Sequence, residues 1–101
     1  MVNMRKLPKT LLSTMDLTDD QAGVYLAALE LGQASLQDIA RKSGVKRTSI
    51  YNFIDLLKEK QLITETKKNK RRVYSAINPE HLIELVKVKL IEIESLLPEL
   101  M

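Results

Sequence analysis

Four stretches of the chain repeat apolar residues at intervals of three and four, and two short stretches between the third and the fourth do not. The first carries Ala22, Tyr25, Leu26 and Leu29, which predicts a helix opened by a Thr18/Gln21 capping box, with Asp19 and Asp20 in its first turn, and stopped by Gly32. Gly23 lies inside it at a cost of about 1 kcal/mol relative to alanine, so either the helix tolerates it or a neighbour packs closely there. The second carries Leu36, Ile39 and Ala40 behind a capping Ser35, with Asp38 three positions on, and ends at Gly44. The third, about Lys46 to Lys60, carries Ile50, Phe53, Ile54 and Leu57 on one face. The two intervening stretches, Leu62 to Thr66 and Val73 to Ile77, favour strands and flank KKNKRR, where Asn69 suits a left-handed turn position, so they predict a hairpin. The fourth opens with Asn78 as cap and Pro79 in the first helical position. Its residues Ile83, Val86, Leu90, Ile93, Leu97 and Leu100 form a seam of nearly three heptads. A second group, Leu82, Leu85 and Val88, is expected to face the protein's own core, and Pro98 to end or kink the seam. Residues 1 to 15 show only weak helical spacing in Leu7, Leu11, Leu12 and Met15, expected as a short helix or an arm on the core.

These elements add up to a mainly α chain with one small β-hairpin, an α+β fold. The tight GVKRTS connection makes the second and third helices a helix-turn-helix, and a hairpin directly after such a pair is a wing. On the third helix Thr48, Asn52 and Asp55 lie opposite the apolar face, Ser49 and Tyr51 flank it, and Lys46 and Arg47 sit at the N-terminal tip. Short hydrogen-bonding side chains there suit base edges, and cations suit phosphates; the bland alternative is a solvated face on an ordinary helix pair. Lys67, Lys68, Lys70, Arg71 and Arg72 put five cations within six hairpin positions. Such crowding repels itself without a polyanion, although a tip charged only for solubility is the competing account. The expected organisation is a winged helix-turn-helix over 1–77, with its wing at 62–77, and a coiled-coil dimerisation helix over 78–101 that pairs through Ile83, Val86, Leu90, Ile93 and Leu97.

Charge sharpens this picture. At 101 residues the chain is one domain, small enough to gain from oligomerising, and its net +3 hides a sorting. From Arg41 to Arg72 there are eleven Lys or Arg against three acids, a local +8, while the remainder carries −5. Cysteine is absent, His81 is the single histidine, at a helix start, and Gly23, Gly32 and Gly44 form no phosphate-cradling loop. No metal, cofactor or catalytic residue is therefore expected, and no enzyme. No apolar run reaches the roughly 20 residues of a membrane span, and the opening MVNMRKLPKTLL lacks a signal-peptide core, so the expectation is a cytoplasmic protein with no membrane partner.

Three strings extend beyond any single helix-turn-helix pattern: LTDDQAGVYLAALELGQAS, LQDIARKSGVKRTSIYNFIDLLKEKQLI and RRVYSAINPEHLIELV. Together, over roughly residues 14 to 90, they resemble the N-terminal DNA-binding domain of TrmB-like transcriptional regulators, within the wider MarR-like winged-helix group. The resemblance implies a dimeric transcription factor whose partners are double-stranded DNA and a second copy of itself, with the Lys46–Lys60 helix in the major groove. Lys46 stands where such proteins often have a proline or a capping residue, Gly23 where a longer side chain is usual, and Gln61 where glycine commonly precedes the wing. Larger TrmB-like regulators carry a C-terminal sugar-binding domain, whereas this sequence ends at Met101, so the resemblance implies no sugar effector and leaves any small-molecule effector open. A winged-helix module for protein contact in a larger assembly is the alternative function. Its binding to duplexes would show neither a steep salt dependence nor a preferred sequence.

Overall fold

The computed structural model describes residues 16–100, and the helix or arm expected over residues 1–15 lies outside them. The elements run α1 (Asp19–Leu31), α2 (Leu36–Ser43), α3 (Arg47–Glu59), β1 (Ile63–Lys68), β2 (Arg71–Ala76) and α4 (Pro79–Leu100). This is a mostly helical fold with a two-stranded antiparallel hairpin.

Helix α1 is the hub. The capping box forms in both directions: the Gln21 backbone N–H donates to Thr18 Oγ1 at 3.2 Å, and the Thr18 N–H to Gln21 Oε1 at 3.0 Å. Gly32, at φ 75°, closes the far end by donating its N–H to the Ala28 carbonyl. The sequence marks one apolar face here, yet Val24, Ala27 and Ala28 are buried along with Ala22 and Tyr25, because α2, α3 and β2 surround the helix. Alanines let those neighbours approach closely. Leu26 and Leu29, expected on that face, are only half-buried against the core. A Cβ on Gly23 would meet nothing within 4 Å, so no close neighbour requires this glycine. Gly23→Ala is expected to raise stability by about 0.5–1 kcal/mol, read as a higher urea midpoint with an unchanged slope.

Helices α2 and α3 meet through Gly44, whose φ of 77° caps α2. Ile39, Ile50, Ile54 and Leu57 are buried between them and α1, with Phe53 packed half-buried beside them. The end of α3 is a Schellman motif: Leu62 donates its N–H to the Leu57 carbonyl and Gln61 to that of Lys58, both at 3.0 Å. Gln61 therefore holds φ 64°, the position that glycine fills most easily.

The hairpin is longer than its β-favouring residues. Register runs from Ile63↔Ala76 to Lys68↔Arg71, leaving Asn69 and Lys70 as a two-residue turn with φ values of 52° and 67°. Positive φ at both central residues is what a type I′ turn requires. Ala34, just before α2, exchanges backbone hydrogen bonds of 2.8 and 3.0 Å with Tyr74, which docks β2 onto the helices.

Beyond the hairpin, Glu80 donates its N–H to Asn78 Oδ1 at 2.9 Å, and α4 begins as the Asn-Pro pair predicts. Buried Tyr25 donates its hydroxyl to the Ile77 carbonyl at 2.9 Å and so ties α1 to the residue leading into α4. Leu82 is buried, and Leu85 and Val86 are half-buried against the core. Two expectations change here. Val86, assigned to the dimer seam, packs on the protein's own core, while Val88, assigned to that core, is 53% exposed. The 100° step between successive helical positions turns 82, 85 and 86 to one side and swings 88 away. Pro98 does not stop the helix, which continues through it to Leu100. A proline one turn from the end removes a single backbone bond where fraying already weakens the ladder.

Candidate nucleic-acid interface

The outer face of α3 is built as the spacing predicts. With Ile50, Ile54 and Leu57 turned inward, Lys46, Arg47, Thr48, Tyr51, Asn52 and Asp55 are exposed, and Ser49 is half-buried. Lys46 is the N-cap and makes no side-chain cap hydrogen bond, so the first-turn N–H groups have no partner from it. A cation there also opposes the positive end of the helix dipole, and both features favour an approaching anion.

Among the described residues one of the five hairpin cations, Arg72, is ion-paired. Lys67, Lys68 and Lys70 are exposed and make no ion pair among the described residues. Arg72 instead faces Glu65, with Nε 3.9 Å from Oε2, while Lys58 at the end of α3 reaches Glu65 Oε1 at 3.2 Å and Asp55 at 3.4 Å. Arg71 is exposed opposite Lys68. Spacing alone did not reveal Glu65, a carboxylate on the inward side of β1 that joins the recognition-type helix to both strands of the hairpin. Its only sequence signal is its place two residues after buried Ile63, on the same strand face. The hydrogen bond from Lys58 comes first in holding its carboxyl below the ordinary carboxylate value, aided by Tyr74 and Arg72 against the opposing effect of burial. The same hydrogen bond raises Lys58 above the ordinary lysine value. The brace thus stays charged at neutral pH and links the two basic elements.

His81 is exposed in the first turn of α4, and no group of three or more metal-ligating side chains occurs among the described residues. No described helix is long and apolar enough to cross a membrane. On the seam, Ile83 (51%), Leu90 (54%), Ile93 (51%) and Leu97 (46%) are exposed, and so is every residue from Lys87 to Leu100.

The family described as the sugar-specific transcriptional regulator TrmB matches residues 12–80. The chain belongs to the TrmB family. It is 31% identical over 80 residues to the HTH-type sugar sensing transcriptional regulator TrmBL1 of Pyrococcus furiosus, a match that covers 79% of this chain but 23% of that protein. The fold is similar to that of TrmBL2, an archaeal chromatin protein, at a TM-score of 0.80 and 16% identity over 96% of this chain and 37% of that one. It is also similar to the homodimeric winged helix-turn-helix DNA-binding domain Mb0332 of Mycobacterium bovis, at a TM-score of 0.55 and 17% identity over 86% of this chain and 80% of that fragment. The chain therefore spans under a quarter of its TrmBL1 relative and over a third of TrmBL2. As a TrmB-family member it carries the winged helix-turn-helix of DNA-binding transcription regulators, a family that is not one of enzymes.

Proposed function

We propose that this TrmB-family chain binds double-stranded DNA sequence-specifically as a homodimer and regulates transcription in the cytoplasm. The observation that carries the proposal is that the exposed face of α3 and the unpaired lysines of the hairpin belong to one braced unit. Helix α3 enters the major groove, where Thr48, Ser49 and Asn52 address base edges with Tyr51 beside them, and Lys46 and Arg47 hold phosphates at its tip. The wing reaches the neighbouring backbone. Residues 1–77 form the reading unit and 78–101 the pairing helix, with Ile83, Leu90, Ile93 and Leu97 meeting their copies and Val86 at the edge of the protomer core.

Asn52 separates recognition from positioning. An asparagine matches the donor and acceptor on the major-groove edge of adenine. Asn52→Ala is expected to cost about 1–3 kcal/mol on a duplex selected from a random pool, and little on random DNA. Titration of both duplexes at one salt concentration checks this, and equal weakening on the two would make Asn52 a backbone contact.

A further inference from the structure

Between the start of α2, the start of α3 and the first residues of β2 lies an open groove of about 340 Å³. Arg47, Arg71 and Arg72 line it, joined by Ser35, Gln37 and Tyr51. We propose that this groove seats one backbone phosphate of the bound duplex, gripped by the Arg47 and Arg71 guanidiniums, with Arg72 held behind them. The proposal rests on the DNA-binding reading and adds a division of labour to it. The arginines fix register on a single phosphate, while Lys67, Lys68 and Lys70 neutralise the backbone diffusely.

Three observations converge. No acidic residue lines the groove, although three arginines do. Among the described residues the one acid in ion-pair distance of these arginines is Glu65, 3.9 Å from Arg72 and already engaged by Lys58 at 3.2 Å. Arg47 and Arg71 have no ion-pair partner among the described residues. Like charges assembled from two elements around one hollow repel until an anion enters. The remaining lining groups are hydroxyls and an amide, able to donate to phosphate oxygens, and buried Leu36 and Tyr74 form a floor that strengthens charge interactions above it. A guanidinium also offers two parallel N–H donors to one phosphate, which a lysine ammonium cannot. That difference makes the clamp testable apart from net charge.

The test uses the whole 101-residue protein with Arg47→Lys and Arg71→Lys, singly and together, on a duplex selected from a random pool. Arg72 is left in place because it belongs to the brace. Both targets are exposed, and unchanged circular dichroism confirms folding. Each replacement is expected to weaken binding about 5- to 20-fold while leaving the slope of log affinity against log salt unchanged, since charge is conserved. Uncharged methylphosphonates are then placed one linkage at a time. At one linkage per half-site the substitution should weaken the unaltered protein about tenfold and the doubly replaced protein no further. Silent lysine variants on a duplex that the unaltered protein still binds with a steep salt slope would overturn the clamp alone. Loss of both salt slope and sequence preference in the unaltered protein would overturn the DNA reading with it. Inorganic phosphate is titrated against chloride at equal ionic strength. Competition by phosphate that disappears in Arg71→Lys, together with a flat methylphosphonate scan, would assign the groove to free phosphate and reject the backbone seat.

Discussion

Replacing Leu90 and Ile93 together by lysine is expected to yield a folded monomer by light scattering and to cut affinity for a two-half-site duplex by about 10²–10⁴-fold. The size of the effect comes from tethering. When two reading units are joined, the second binds as an intramolecular event, and separating them removes that advantage without touching any DNA contact. The double change is also safe for the fold. Both residues lie beyond Val86, the last residue of α4 packed on the core, at 54% and 51% exposure. Four to five large aliphatics per helix left in water are a strong drive to pair, since full burial of each is worth about 1.5–3 kcal/mol. Lysines facing lysines across the seam oppose pairing twice, through lost apolar burial and through repulsion. A dimer that persists in the double variant, or a monomer that binds DNA as tightly as the unaltered protein, would remove α4 from the interface.

Changing Lys68 and Lys70 to alanine should weaken selected and random duplexes alike. It should also make the slope of log affinity against log salt shallower by about 2 per subunit, or about 4 per dimer, with the preferred sequence unchanged. Each phosphate contact releases about 0.9 of a counterion, so between 50 and 200 mM salt the altered dimer should lose about a hundredfold less affinity than the parent. The structure favours these two residues over their neighbours. Lys70 occupies the turn itself, at φ 67°, and Lys68 forms the last pair before it. Arg72 is committed to Glu65. Alanine makes the same backbone demand at position 70 as lysine does, so the turn should survive. An unchanged slope would mean that the hairpin points away from DNA, and a protein-contact role would then lead.

Helix boundaries and caps were legible because they depend on neighbours within one turn: Thr18 with Gln21, Asn78 with Pro79, Gly44 alone. What depended on distant partners was not. Nothing local in VYLAALEL says that three elements will enclose α1, so Val24, Ala27 and Ala28 were missed as core. Strand-favouring residues ended at Thr66 and restarted at Val73, yet cross-strand pairing carried β structure through Lys67–Lys68 and Arg71–Arg72. Asn69 was expected at positive φ, whereas Lys70 joins it only because a two-residue turn needs both. Gln61 stood out as a departure where glycine is usual, and the backbone there is left-handed all the same. On the site, the exposed face of α3 followed from period alone, but the Lys58–Glu65–Arg72 brace required the register of a strand pair against a helix.

The hydroxyl of Tyr25 on the Ile77 carbonyl stands at the fulcrum of a lever. Helix α4 has 22 residues, about 33 Å at 1.5 Å per residue, and its last fourteen are all exposed, with the Lys89 ammonium reaching Asp16 Oδ2 at 3.2 Å. A tilt of about 10° at that joint would displace the far end by about 6 Å, nearly two steps along a strand of DNA at about 3.4 Å each. In a paired molecule the stiffness of this one joint would therefore decide how strictly the distance between two half-sites is measured. A loose joint would accept operators of several spacings, and a rigid one only a single spacing.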